Sequence, residues 1–337
     1  MKEENILEVS KLKVRFPLKR EVLHAVNGVD FCIRQGETLG FVGESGCGKS
    51  TTAKAIIRLL PEHAQISGGE IWYKDRDVCK MNREELRNIR GKEIGMIFQD
   101  PMTALNPVLT IRDQIYEQFQ GRGMSKAEKG QEAVRMLELV GIPDAPARIN
   151  DYVFQFSGGM RQRAMIAIAL AGKPKLLIAD EPTTALDVTI QDQIIKLINR
   201  LKKELGMSVL LITHDLGVVS QMCDTVAVMY AGYIVEYADT LSLFAHPSHP
   251  YTKGLMKAIP SKNKKENRLK SIPGTTPNLC DLPKGCPFAE RCEYCRDECR
   301  ERLPELAKIK ENHYARCHFP EEMENYVGLI RLDEEER

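Results

Sequence analysis

The chain has no excess of either charge sign. Its 48 Lys and Arg residues face 47 Asp and Glu, a formal net charge of +1. This balance gives no electrostatic reason to expect nucleic acid or an anionic membrane surface as a partner. No stretch approaches the about 18–20 apolar residues that a membrane-crossing helix needs. Behind Met1-Lys2-Glu3-Glu4 there is no apolar run of the kind a secretory signal carries. No internal repeat is visible. These absences lead to the expectation of a cytosolic chain, or of one that is peripheral on the cytosolic side of a membrane. What is present is ordinary for a soluble globular protein: 337 residues, 43% apolar and 28% charged, enough for two or three structural units.

The apolar pattern switches between periods of two and of 3.6 residues. Residues 6–16 ("ILEVSKLKVRF") and 22–33 ("VLHAVNGVDFCI") read as antiparallel strands, and "ETLGFVG" (37–43) as a buried strand. A helical pattern, "KSTTAKAIIRLL" (49–60), follows a glycine-rich turn. "IGMIFQD" (94–100) is a further buried strand. From about 110 to 172 the period is helical, and "SGGMRQRAMIAIALAG" opens on a serine cap and closes at Gly172. Beyond it, "KLLIAD", "SVLLITHD" and "TVAVMYAGYIVEY" are strands, and "TIQDQIIKLINRLKKELG" is an amphipathic helix ending in glycine. Alternating strands and helices predict an α/β sheet with a helical insert at roughly 100–172. The lysine-rich "PSKNKKENRLKS" (260–271) reads as a linker. It divides a main domain, 1–260, from a small proline- and cysteine-rich tail, 261–337.

The strongest local signal is "GESGCGKST": Gly43, Glu44, Ser45, Gly46, Cys47, Gly48, Lys49, Ser50 and Thr51. It fits G-x-x-x-x-G-K-[ST] between a strand and a helix, the context a phosphate-binding loop requires. Glycines let backbone N–H groups wrap phosphate oxygens, Lys49 reaches the β- and γ-phosphates, and Ser50 offers an oxygen to Mg²⁺. A chance glycine-rich turn is the plainer alternative, and the flanks argue against it. In "KLLIADEPTTALD" an apolar strand ends in Asp180-Glu181. There Asp180 would hold Mg²⁺, and Glu181 would orient and polarise an attacking water.

"FSGGMRQR" (156–163) resembles the signature motif of ATP-binding cassette (ABC) ATPases, with Phe156 and Met160 as departures. The resemblance implies that Ser157, Gly158, Gly159 and Met160 close over a nucleotide held by the loop of a second ATPase domain. It further implies a Mg²⁺- and water-contacting role for Gln99 in "IFQDP", a dimer-contacting role for Asp187 in Ala185-Leu186-Asp187, and a γ-phosphate contact for His214. Phe16 lies where the family places an aromatic that stacks on adenine, although a core strand phenylalanine would look the same. "FQDPMTALNP" (98–107), "HPYTKGL" (249–255) and "IPGTTPNL" (272–279) resemble the dipeptide/oligopeptide importer branch. An ABC-type P-loop core with an antiparallel β subdomain and a helical subdomain is therefore the expected fold. The implied partners are a second ATPase subunit (homologous or self), two transmembrane permease subunits and, indirectly, an extracytoplasmic peptide-binding protein. Nickel or glutathione uptake by the same machine is the alternative. A soluble ABC ATPase acting on ribosomes or DNA fits less well, because there is one ATPase domain and no basic excess.

Six of the ten cysteines fall between Cys280 and Cys317. Cys286, Cys292, Cys299 and Cys317 are separated by 5, 6 and 17 residues. In a reducing compartment such a set points to a metal rather than to disulfides. The importer branch carries a cysteine-bearing extension of this pattern, which implies a [4Fe–4S] cluster on these four. Cys292-x-x-Cys295 with His313 and Cys317 keeps zinc open, and plain reduced thiols are the third reading. A metal would staple a tail too poor in apolar surface to fold alone.

Overall fold

The computed structural model describes residues 5–184, 186–258 and 271–323. Met1–Glu4, Ala185 and all but the last residue of the lysine-rich stretch 260–271, with the domain boundary expected there, lie outside the described residues.

In chain order, the structure begins with strands β1 (Asn5–Pro17), β2 (Val22–Arg34) and β3 (Thr38–Val42) and helix α1 (Lys49–Ile56). Next come β4 (Gln65–Tyr73), β5 (Arg76–Asp77), α2 (Arg83–Ile89) and β6 (Ile94–Ile97). A helical stretch follows: α3 (Pro101–Ala104), α4 (Ile111–Glu117), α5 (Lys126–Leu139), α6 (Ala145–Arg148) and α7 (Gly158–Ala171). Then come β7 (Leu176–Asp180), α8 (Val188–Leu205), β8 (Ser208–Ile212), α9 (Leu216–Met222), β9 (Thr225–Tyr230) and β10 (Tyr233–Asp239). Helices α10 (Thr240–Ala245) and α11 (Pro250–Lys257) precede the tail, which holds α12 (Asp297–Glu301), β11 (Ala307–Lys310) and β12 (His313–Ala315).

The chain divides into two units. One holds Lys80–Ile212 with two short N-terminal pieces. In it β6, β7 and β8 pair in parallel, in the order β8-β7-β6. Every residue of β7 and β8 is buried, which is why their sequences are unbroken apolar runs rather than alternations. The helical stretch packs around α7, which touches α3, α4, α5 and β6. Ser157 caps α7, and Asp187 and Gly206 bound α8, whose buried face is Ile194, Ile195, Leu197, Ile198 and Leu201.

The other unit holds Leu7–Ile33, Thr38–Cys79 and the chain from Thr213 onward. It contains a four-stranded sheet in the order β2-β1-β4-β5 and the strand order β11-β12-β10-β9-β3. Here β3 and β9 run parallel, while β9, β10, β12 and β11 are antiparallel.

Three differences from the sequence reading have physical causes. Helix α1 stops at Ile56, not at residue 60, because Arg58 turns into the left-handed region (φ 49°) and Leu59 N–H bonds back to Lys54 O. Strand β6 stops at Ile97, because Asp100 caps a new helix with Pro101 in its first turn. The tail is also not left to fold alone. Its strand β12 pairs with β10, and buried His313 places Nε2 2.7 Å from an oxygen of fully buried Glu236.

Candidate functional site

The loop at 43–51 joins β3 to α1. Two of its glycines are required by close approach and backbone conformation. At Gly43 (φ 149°) an added Cβ would stand 2.2 Å from Met229 O, and at Gly48 (φ 106°) 2.5 Å from Ala25 O. Lys49 is buried, and its ammonium group donates to Gly43 O (2.8 Å) and Glu44 O (3.0 Å). The lysine thus already lies across the loop mouth, with Ser50 and Thr51 behind it in the first turn of α1. Ser45 and Gly46 are exposed at the loop tip. Cys47 is buried, and burial pushes its thiol up, against the smaller opposing effect of Lys49. The same unit holds His214, exposed just after Thr213, and Phe16, half-buried on β1 with its ring 5.6 Å from that of His63.

In the other unit, Asp180 is buried at the C-terminal end of β7. Glu181 follows with φ 48°, a conformation that costs a non-glycine residue energy, and its N–H is tied to Ile212 O at 2.9 Å. Its carboxylate accepts from Gln99 Nε2 (3.1 Å) and Thr184 Oγ1 (2.8 Å). Two of the sequence-predicted catalytic residues, Gln99 and Glu181, are therefore brought into direct contact across 82 residues.

Ser157 Oγ accepts from Met160 N–H at 3.3 Å. Phe156 is buried, so the departure from leucine is absorbed by the core. A Cβ on Gly158 would meet nothing within 4 Å, so nothing in the chain itself demands glycine there. Asp187 Oδ1 caps α8 by accepting from Ile190 N–H at 2.9 Å.

Cys286, Cys292, Cys299 and Cys317 line one cavity of about 20 Å³, together with His249, Phe288 and Phe319. Cys280 and Cys295 are absent from its walls. Burial, reinforced by the neighbouring thiols, pushes Cys286 up to about 12 and Cys292 and Cys317 up to about 11. The zinc set of Cys292, Cys295, His313 and Cys317 is not assembled: Cys292 and Cys317 line the cavity, while Cys295 and His313 are absent from its walls. Among the described residues, no group of three or more His, Cys, Asp or Glu side chains could hold a single metal ion.

Sequence reasoning missed the residues that join the loop to the tail. Arg291 Nη1 and Nη2 donate to the two carboxylate oxygens of Glu44 at 2.7 and 2.9 Å, and the Glu44 N–H donates to Tyr251 Oη at 2.8 Å. The partners are 247 and 207 residues apart, and no local pattern announces either contact.

Comparison with known proteins agrees with this arrangement. Residues 26–184 match the ABC transporter family, and residues 235–299 match the C-terminal region of oligopeptide/dipeptide transporters. A probable peptide ABC transporter ATP-binding protein of Sinorhizobium fredii is 50% identical, covering 96% of this chain and 98% of its own. The dipeptide transport ATP-binding protein DppD of Bacillus subtilis is 47% identical, covering 97% and 98%. Among solved structures, a dimeric ATP-binding cassette in a post-hydrolysis state, bound to ADP and Pi, is 28% identical. It superposes with a TM-score of 0.62 over 69% of this chain and 98% of its own. Near-complete coverage at such identity, on a chain with a P-loop, a Glu181–Gln99 pair and a capped signature helix, shows that the protein belongs to the ABC transporter family, among the ATP-binding subunits of its oligopeptide/dipeptide branch.

Proposed function

We propose that the chain hydrolyses ATP to drive peptide uptake through membrane-embedded partner subunits. The observation that carries this reading is the Glu181 carboxylate, held by Gln99 next to Asp180 at the end of a buried strand. Glu181 orients and polarises a water for in-line attack on the γ-phosphorus. The bond from that phosphorus to the β,γ-bridging oxygen breaks, giving ADP and phosphate. Lys49 exchanges its loop carbonyls for β- and γ-phosphate oxygens, and His214 contacts the γ-phosphate. Ser50, Asp180 and Gln99 would hold Mg²⁺, which neutralises charge on the phosphates. Phe16 stacks on adenine.

Ser157, Gly158, Gly159 and Met160 form the start of α7; the Met160 N–H is capped by Ser157 Oγ, and the N–H groups of Gly158 and Gly159 would serve a phosphate. Gly158 faces open space, so the demand for glycine there comes from what approaches it. That visitor is the nucleotide on an opposing ATPase subunit, near Asp187. Closure and reopening of the pair would move two permease subunits, and an extracytoplasmic binding protein would deliver the peptide. Among the described residues no helix is long and apolar enough to cross a membrane. As an ATP-hydrolysing subunit of membrane-embedded partners, the chain would sit on their cytoplasmic face.

Cys286, Cys292, Cys299 and Cys317 would hold a [4Fe–4S] cluster that staples the tail. Their shared cavity supports this reading. Four ligands on four separate irons stand farther apart than four ligands on one zinc, in keeping with thiols that share a cavity without forming a single-ion site.

Glu181→Gln tests the ATPase reading. It should retain ATP binding, lose most turnover and accumulate ATP-bound dimers by light scattering. Turnover like that of the wild type would remove Glu181 from its role.

A further inference from the structure

The P-loop is braced by the cysteine-bearing tail. Arg291 stands immediately before Cys292, and only 5% of its side chain is exposed. Besides its two bonds to Glu44, it donates from Nη1 to Tyr230 Oη (3.2 Å), from Nε to Pro273 O (2.9 Å) and from Nη2 to Ile272 O (3.4 Å). The guanidinium is therefore fixed in place before it meets Glu44, the second residue of the loop. A planar guanidinium paired to both oxygens of a carboxylate fixes direction as well as distance.

A second connection runs beside it. Tyr251 is fully buried, and its hydroxyl accepts from the Glu44 N–H. Its ring lies 4.7 Å from that of Tyr230 and 5.4 Å from that of Phe288, and Phe288 is also a wall of the cysteine cavity. One face of this small cluster holds the loop, and the other closes the cavity.

We infer that Arg291 is a positioning residue for the nucleotide site, and that through it the state of the four-cysteine cavity sets nucleotide affinity. Arg291 holds the Glu44 carboxylate and Tyr251 Oη the Glu44 N–H, so that the loop's remaining N–H groups are aimed before ATP arrives. A change at Cys292 moves the adjacent Arg291 and loosens the loop. Coupling between two such sites is reciprocal, so bound nucleotide also steadies the tail. This deepens the ATPase reading and rests on it.

The test is the equilibrium binding of a fluorescent ATP analogue with Mg²⁺ to the full chain. The proteins are wild type, Arg291→Ala, Arg291→Lys, Glu44→Ala, the Arg291→Ala/Glu44→Ala double variant, Cys292→Ser, and Cys292→Ser combined with Arg291→Ala. Thermal unfolding confirms that each is folded. Arg291→Ala should weaken binding about tenfold, with turnover at saturating ATP nearly kept, so that KM rises and kcat does not fall in step. Arg291→Lys should restore part of the affinity. Glu44→Ala breaks the same pair from the other end, and adding Arg291→Ala to it should cost little more. Cys292→Ser should weaken binding in the wild-type background and not in the Arg291→Ala background. Equal affinity of wild type and Arg291→Ala would overturn the positioning role. Additive effects of Cys292→Ser and Arg291→Ala would overturn the link to the cavity. A wild type that bound no nucleotide would overturn the ATPase reading, and this inference with it.

Discussion

Replacing Glu236 with alanine should undock the tail strands at a cost set by three hydrogen bonds. Glu236 lies on β10, fully buried, and accepts from Ser248 N–H at 2.6 Å and His249 N–H at 3.0 Å. His313 Nε2 on β12 completes the set at 2.7 Å. Alanine leaves two backbone donors and an imidazole with no acceptor in a dry site. A buried donor that loses its partner costs about 1–3 kcal/mol, and breaking a buried ionisable pair about 3–5 kcal/mol. A water entering the vacated space recovers part of this, so about 3–5 kcal/mol is the expected total. For a chain of this size that lowers Tm by roughly 4–7 °C. Glu236→Gln keeps one acceptor oxygen and a similar shape, so it should lose about half as much. The assay is thermal unfolding of both variants, with hydrogen exchange of residues 307–315 to locate the loss. An alanine variant within about 1 kcal/mol of wild type, or exchange unchanged at β11 and β12, would refute the reasoning.

Three further expectations follow from other parts of the molecule. Burial, helped by the positive charge of Arg316, holds His249 at about 3 against an ordinary 6.5, and its Nδ1 accepts from Tyr251 N–H. The unfolded chain therefore takes up a proton that the folded chain refuses. Stability is full above about pH 6.5 and is lost as the pH falls toward 3, by about 2 kcal/mol at pH 5. Urea titrations at pH 7.5 and 5 should show this slope, and His249→Gln should flatten it; an unchanged slope in that variant would show another group to be responsible. Protein purified without oxygen should carry about four iron and four acid-labile sulfide per chain, with Cys299→Ser losing both and Cys295→Ser neither. One zinc with no sulfide would contradict the cluster. Ser157→Arg should block turnover while leaving ATP binding to the chain's own loop within about twofold, if the signature helix serves the opposing nucleotide as proposed. A large loss of binding would contradict that division of labour.

Much of the site was legible because its chemistry is local. The loop at 43–51 announces itself by glycines at the positions where a Cβ would strike Met229 O and Ala25 O. Asp180 and Glu181 were found because a fully buried parallel strand must be an unbroken apolar run, and β7 is one. Shorter or interrupted elements escaped. Strand β4 carries Gly68 and Gly69 beside a register shift against β1, which breaks its alternation. Helix α2 has only seven residues, too few for a clear period, although its Asn82–Glu85 capping box was a readable start signal. Hardest of all were the contacts made across the fold. Glu236 and His313 are 77 residues apart, and Glu44 and Arg291 are 247. Each looks like an ordinary surface charge in sequence. Only the pairing of β10 with β12 and the seating of the tail against the loop reveal them as partners.

The most direct test of the central claim is ATP turnover by the chain assembled with its membrane partners in vesicles, measured with and without peptide-loaded binding protein. The account predicts turnover that rises when peptide is supplied and disappears in Glu181→Gln. Turnover indifferent to peptide, or undiminished by loss of the Glu181 carboxylate, would contradict it.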